Sequence, residues 1–303
     1  MNDRMIDISS PARLSIQTAR LIIHRQDFED TAIPLEEIAA VIVSHGCVLF
    51  THAVLSELAR VGAVFIVCDG KHLPVGMLLP LQTHHAQCEV FALQSTMPLP
   101  VKKRLWKQII QAKVRAQGAL LQCVAGSTRG FSILEKKVRS GDPTNVEARA
   151  ARQYWSLLFG KGFRRNGDEA AVNSHLNYGY AILRGIVARS ICAAGLHPSL
   201  SLHHHNRYDA FALADDLMEP FRPIVGSSVW TLQQKGQITD ELTQDGKRRL
   251  LSTLTGAYHY RRDESRTLFD ITSRMACSLV HVIRGEAARL QLPDSWDYDT
   301  DLL

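Results

Sequence analysis

This chain of 303 residues lacks the patterns by which many soluble enzymes are first sorted. It contains no GxxxxGKS or GxxxxGKT phosphate loop, no GxGxxG, no HExxH and no GxSxG, which removes the simplest nucleotide-binding, metalloprotease and serine-hydrolase readings. It also lacks CxxC, so a zinc deaminase, which needs that pair beside its HxE, is excluded. The six cysteines, Cys47, Cys68, Cys88, Cys123, Cys192 and Cys277, are scattered and fall mostly in apolar runs. They read as reduced core thiols of a cytoplasmic protein, not as a disulfide framework. No basic segment followed by an apolar one opens the chain, so a secretory signal is not expected. Ile38 to Ser56 carries no Asp, Glu, Lys or Arg, yet Ser44, His45, Gly46, Thr51 and His52 interrupt it. A buried strand, a turn and a second strand fit that stretch better than a membrane span. Neither an internal repeat nor a low-complexity tract is found.

Acidic residues are scarce in one place. Between Leu99 and Asn166 fifteen Lys or Arg face three acids, Glu135, Asp142 and Glu147. That local balance of +12 leaves the rest of the chain at −7, because the whole carries +5. One basic segment in an otherwise acidic protein points to a phosphate-binding surface, since affinity for DNA comes largely from neutralised phosphates. Solvated helix faces would give the same count.

The chain changes character near Pro100. From Arg13 to Pro80 the apolar runs are short and separated by turn residues: Leu14 and Ile16 alternate, and Leu21–Ile23, Val41–Val43, Cys47–Phe50 and Val64–Cys68 follow, with one helix over His52 to Arg60. A β domain over 1–83, a linker over 84–100 and a helical region over 101–303 are expected. After Pro100, Leu105, Ile109, Ala112, Ala116, Ala119 and Cys123 form an apolar stripe at helical spacing, with Lys102, Lys103, Lys107 and Lys113 lying off it. Further helices are expected from Ala171 to Ala194 and from Glu264 to Gln291. The acids Asp294, Asp297, Asp299 and Asp301 read as a poorly ordered tail.

Three stretches could carry chemistry. The segment from Asp142 to Tyr154 opens like a helix, with a capping Asp and then Pro143, and it puts Glu147 on the face of Ala150, Ala151 and Tyr154. A carboxylate on a packing face needs a cation or a metal, unless it is simply a half-exposed acid at a helix start. The loop from Gly195 ends in His203, His204 and His205, of which alternation along an extended chain lets only one or two face the same ion. Asp216 and Glu219, three apart before Pro220 and Pro223, would share one face of a helix, a common way to present oxygen ligands to Mg²⁺ or Mn²⁺ and equally an ordinary helix ending.

Taken together, VEARAARQYW, GLHPSLSLHHHN and ADDLMEPFRP resemble the integrase family of CRISPR adaptation, the first CRISPR-associated protein (Cas-one). So do LSIQTARLIIHRQ, IPLEEIAAVIVSHGCVLFTHAVLSELARVGAVFIVCD and NSHLNYGYAILRGIVARS, so that the likeness reaches most of the chain and looks most similar to members from type II systems. The resemblance implies an α+β protein, an N-terminal β-sandwich followed by a mostly helical catalytic domain. It implies Glu147, His204 and Glu219 as ligands of Mg²⁺ or Mn²⁺, with His203 and His205 as neighbours that could exchange places with His204, and with Asp216, His205 and Asn173 supporting the ligands. Implied chemistry is the joining of a captured fragment's 3′-hydroxyl to the CRISPR repeat by transesterification. Implied partners are DNA, a second copy of the chain, the small Cas-two protein in a heterohexameric complex, and Cas9 with other adaptation proteins, but no membrane. Lys102, Lys103, Arg104, Lys107, Arg149, Arg152, Lys161, Arg164 and Arg165 are the candidates for phosphate contacts. A stand-alone metal-dependent nuclease acting on branched DNA and a catalytically silent DNA-binding scaffold are the alternatives.

Overall fold

The computed structural model describes residues 4–70, 73–80, 84–165, 170–204, 206–261, 264–294 and 298. The first part of the chain is β-rich: β1 (Arg4–Ile8), β2 (Ala12–Gln17), β3 (Arg20–His24), β4 (Thr31–Pro34), β5 (Ile38–Val43), β6 (Val48–Phe50), helix α1 (His52–Arg60), β7 (Val64–Cys68) and β8 (Pro74–Leu78). Helices follow: α2 (Gln87–Ser95), α3 (Leu99–Ala125), α4 (Phe131–Lys137), α5 (Val146–Phe159), α6 (Ala170–Ala193), α7 (Ala212–Met218), α8 (Arg222–Gln234) and α9 (Gln244–Thr255). A hairpin of β9 (Ala257–Arg261) and β10 (Glu264–Thr267) precedes α10 (Leu268–Ile283). The expected α+β order, a β-rich N-terminal part and a helical C-terminal part, is what the chain adopts.

Two four-stranded sheets build the N-terminal part, in the orders β1-β5-β7-β8 and β4-β3-β2-β6. In the first, β1, β5 and β7 run parallel, and a strand covered on both faces reads as an unbroken apolar run. That is why Ile38–Val43 has no polar residue. Alternation still sorts its side chains: Val41, Val43 and Phe65 face the second sheet in one core, whereas Ala40, Ile42, Val64 and Ile66 face the helices in the other. The central sheet therefore joins the two halves. Ile66 Cδ1 lies 3.0 Å from where a Cβ on Gly185 of α6 would stand, so the helix crosses the sheet closely.

Several sequence expectations are corrected. Residues 84–100 are more than a bare connection, because they include α2, whose Val90 and Gln94 are buried. Its apolar residues surround the helix and leave no stripe to read. The helix expected from Glu264 begins only at Leu268, after β10, where the Thr267 side chain accepts the Asp270 amide. It ends at Ile283, not Gln291, because Gly285 turns left-handed at φ 79°. Cys47, Cys88 and Cys277 are exposed, so half of the thiols lie outside the core. Of the acidic tail, Asp297, Asp299 and Asp301 lie outside the described residues, but Tyr298 is buried and its hydroxyl donates to Ala116 O at 3.3 Å. Among the described residues no helix is long and apolar enough to cross a membrane.

The helical core depends on small residues at crossings. A Cβ at Gly179 of α6 would run into Val225 Cγ1 of α8, and Leu250 of α9 closes the third side. Gly179→Ala is accordingly expected to cost about 1–3 kcal/mol through overpacking, measured by urea denaturation, although alanine is the better helix former. A neutral or stabilising result would mean that α6 and α8 are packed more loosely than described.

Candidate active site

Elements far apart in the chain bring acids to one place. Glu147 lies in the first turn of α5, and the loop before it fixes its backbone: Asp142 accepts the Val146 amide on Oδ1 at 3.0 Å and the Glu147 amide on Oδ2 at 2.9 Å. The helix does not open at Asp142 and Pro143 as expected. Asn145, at φ 50°, is the residue that caps it, accepting the Ala148 amide, and Pro143 stays outside. Glu219 stands at the start of a 3-10 turn, Glu219–Phe221, because Pro220 has no N–H with which to continue α7.

Between these carboxylates sits Lys113 of α3. Its Nζ lies 2.7 Å from Glu147 Oε1 and 2.5 Å from Glu219 Oε2, and Arg222 Nε donates to Glu219 Oε1 at 2.7 Å. Lys113, expected off the apolar stripe, is in fact 8% exposed. A second apolar row on α3, Trp106, Ile110, Val114 and Leu121, runs beside the first, and Lys113 falls between the two. Burial opposes its charge, but Glu219 and Glu147 outweigh burial and raise its pKa. Burial likewise opposes ionisation of Glu219, and Arg222 and Lys113 overcome it, holding that carboxyl down at about 2.

His204 is held by Asp216. Asp216, fully buried, accepts the amides of Leu202 at 2.7 Å and His203 at 2.8 Å and faces His204 Nδ1 at 2.5 Å. This hydrogen bond is the main reason the His204 pKa is raised; burial opposes it, and Asp216, Glu219 and Glu147 add their charge in support. All three acids therefore act on His204. The His203 ring stacks on Trp106 with centroids 4.1 Å apart, and His204 meets the same indole edge-on at 5.6 Å. Asp216 and Glu219, three residues apart, take different partners: Asp216 holds the loop and Glu219 holds Lys113 and Arg222. His205 lies outside the described residues. Asn173 is buried, but its partners are Arg165 Nη1 at 2.8 Å and the Arg164 carbonyl at 3.1 Å.

The donor set suits a hard divalent cation. Two carboxylate oxygens, Glu147 Oε1 and Glu219 Oε2, point at one positive centre, the Lys113 ammonium. Nδ1 of His204, bonded to Asp216, leaves Nε2 as the nitrogen with a lone pair to offer. Among the described residues, however, no three such side chains already stand at ion-holding spacing, so His204 does not join the glutamates in a preformed cluster.

The basic candidates divide into two groups. Lys103, Arg104, Arg149, Arg152, Lys161 and Arg164 are exposed, and Lys102 and Lys107 are partly so, on α3, α5 and the loop after α5. Arg165 is committed instead, to Asn173 and to Asn177 Oδ1 at 2.5 Å. Sequence reasoning missed Lys113, Arg222, Trp106 and Gln94 as parts of the site. Gln94 of α2 donates to the carbonyls of His197 and Leu200 and accepts the His197 amide, clamping the loop that leads to His204. For Arg222 a signal existed, since it follows Glu219 by three residues before a helix.

Known proteins share this arrangement of elements. The family described as CRISPR associated protein Cas1 matches residues 7–256. The CRISPR-associated endonuclease Cas1 of Neisseria meningitidis serogroup C (strain 8013) is 36% identical over 296 residues, covering 97% of this chain and 97% of that protein. Among solved structures, a casposase bound to integration product is similar in fold with a TM-score of 0.78 and 18% identity, over 98% of this chain and 94% of that one. A Cas6-RT-Cas1–Cas2 complex gives a TM-score of 0.71 at 18% identity, over 95% of this chain and 35% of that one. With the family match spanning most of the sequence and the Neisseria relative nearly all of it, this chain belongs to the Cas1 family of CRISPR-associated proteins.

Proposed function

We propose that this protein is a DNA integrase and endonuclease of CRISPR adaptation, which joins the 3′-hydroxyl of a captured fragment to the repeat by transesterification. The observation that carries the reading is the convergence of Glu147 and Glu219, from separate elements, within 2.7 Å of a single cation, with His204 held nearby by Asp216. A new phosphorus–oxygen bond forms to the attacking 3′ oxygen while the strand's own 3′ oxygen leaves, so one ester replaces another and no nucleotide hydrolysis is required. Glu147, Glu219 and His204 Nε2 are the groups that would hold Mg²⁺ or Mn²⁺, which when bound supplies charge to the phosphodiester and its leaving oxygen. Asp216 orients the imidazole through Nδ1. Lys102, Lys103, Arg104, Lys107, Arg149 and Arg152 offer a positive surface on the two helices that carry Lys113 and Glu147. DNA, a second copy of this chain and a Cas2 protein are the proposed partners; the integration-product casposase and the Cas2-containing complex among the similar structures support the first and the last. The name of the Neisseria relative also supports a purely hydrolytic endonuclease, which the product analysis below separates from strand joining.

With Mn²⁺ or Mg²⁺ and Cas2, the purified protein is expected to join a duplex bearing free 3′ ends into a supercoiled plasmid carrying the repeat. Chelator or Glu147→Ala should remove joined product; shortened strands without joining would favour hydrolysis, and full activity in chelator would remove the metal reading. Asp216→Asn keeps the shape but weakens the hold on the imidazole and the loop, so Mn²⁺ affinity should fall about 10–100-fold, as measured by calorimetry. For DNA binding, Lys103→Ala and Arg104→Ala should each lower the slope of log K against log salt by about 1, and an unchanged slope would take these residues off the DNA path.

A further inference from the structure

Lys113 is an unusual choice for a residue whose only task is neutralisation. It is 8% exposed, and its ammonium sits between the two carboxylates, where a cation bridging Glu147 and Glu219 would have to stand. An ammonium and a divalent ion cannot both bond the same two oxygens at that range, because their mutual repulsion in a partly dry site is large. Either Lys113 excludes the ion or it has somewhere to go.

The surroundings provide the second option. A cavity of about 200 Å³ adjoins the site, lined by Lys113, Gln117, Tyr154, Arg165, Tyr180 and Glu219 among others. Gln117 is one turn further along α3, so its side chain and that of Lys113 are neighbours on one face. It is 3% exposed, and its Oε1 has no hydrogen-bond partner among the described residues. The Tyr154 hydroxyl, also buried and also on the cavity wall, likewise has none. Buried acceptors without donors are costly, and here two oxygens able to accept a hydrogen bond line the space beside a flexible ammonium.

We propose that Lys113 is a built-in placeholder for the metal: its ammonium bridges Glu147 and Glu219 in the metal-free protein and swings into the adjoining cavity, onto Gln117 Oε1, when Mg²⁺ or Mn²⁺ binds. The inference rests on the metal reading given above. Lys113 is then a positioning residue with two stations. In the first it keeps two like charges from splaying apart; in the second it leaves the oxygens to the ion. Displacing it weakens apparent ion affinity, because part of the binding free energy is spent on breaking two ion pairs.

The test is Mn²⁺ binding to the full-length protein, followed by calorimetry and by the melting temperature with and without Mn²⁺. Lys113→Met keeps the stem and removes the charge. It should melt lower than wild type without metal, bind Mn²⁺ at least tenfold more tightly, and gain more in melting temperature from Mn²⁺ than wild type does. Gln117→Leu removes the second station, so it should melt no lower than wild type without metal yet bind Mn²⁺ several-fold more weakly. A merely structural lysine would not move these affinities in opposite directions. Equal or weaker Mn²⁺ binding by Lys113→Met overturns the proposal while wild type still binds. Should Lys113→Met fail to fold, unchanged affinity in Gln117→Leu overturns it. Absence of Mn²⁺ binding in wild type and both variants removes the metal reading itself, and the placeholder with it.

Discussion

Two carboxylates and two cations, Glu147 and Glu219 with Lys113 and Arg222, fix how α3, α5 and α8 meet. Neither Lys113 nor Glu219, both buried, could be held there alone, since removing one partner of a buried pair costs on the order of 3–5 kcal/mol. Together they balance, but Coulomb attraction gained at 2.5–2.7 Å is largely offset by lost hydration. Their contribution is therefore better understood as specificity than as stability. Sliding α3 by one residue would turn Lys113 through about 100° and strand both carboxylates, so a single register of three helices is compatible with the charges.

The same logic extends outward through polar contacts of a different kind. Gln94 satisfies three backbone groups of the loop that follows α6, and Asp216 satisfies the amides of Leu202 and His203 at its end. That loop has no regular structure of its own, and neutral and charged hydrogen bonds from two flanking helices take the place of a ladder. His203 then covers Trp106 on α3, which ties the loop to the helix that carries Lys113. The position of His204 thus follows from contacts that begin in α2, outside the helices that supply the acids.

How much of this the sequence disclosed depends on the kind of signal. Apolar runs such as Val41–Val43 announced a buried strand because burial on both faces forbids polar residues, Val64–Cys68 is buried only as far as Ile66, and the His52 to Arg60 helix had clear boundaries. Glu147, His204 and Glu219 stood out through residue type and through likeness to a family. Lys113 did not. A lysine beside an apolar stripe reads as solvated, and its partners lie 34 and 106 residues further on, a separation that no local pattern encodes. Helix α2 was missed because its apolar residues lie all around it, and α10 was extended too far because β10 and Gly285 were not recognised as punctuation.

Asp216 and Glu219 illustrate why spacing alone misleads at such a site. Three residues apart in a helix, they would point the same way and compete for the same cations. The helix instead ends between them. Asp216 belongs to α7, fully buried, and spends its oxygens on one loop; Glu219 begins a tighter turn that Pro220 enforces and spends its own on Lys113 and Arg222. An acid bonded to successive N–H groups of one loop is a fixed object that can orient a neighbouring imidazole, whereas an acid whose partners are the ends of two long side chains depends on where those ends stand. Pro220 ends α7 after Met218, so Asp216 lies in the helix and Glu219 in the turn that follows it. The division of labour between the acid that holds the loop and the acid that holds Lys113 and Arg222 thus coincides with a stop signal in the chain.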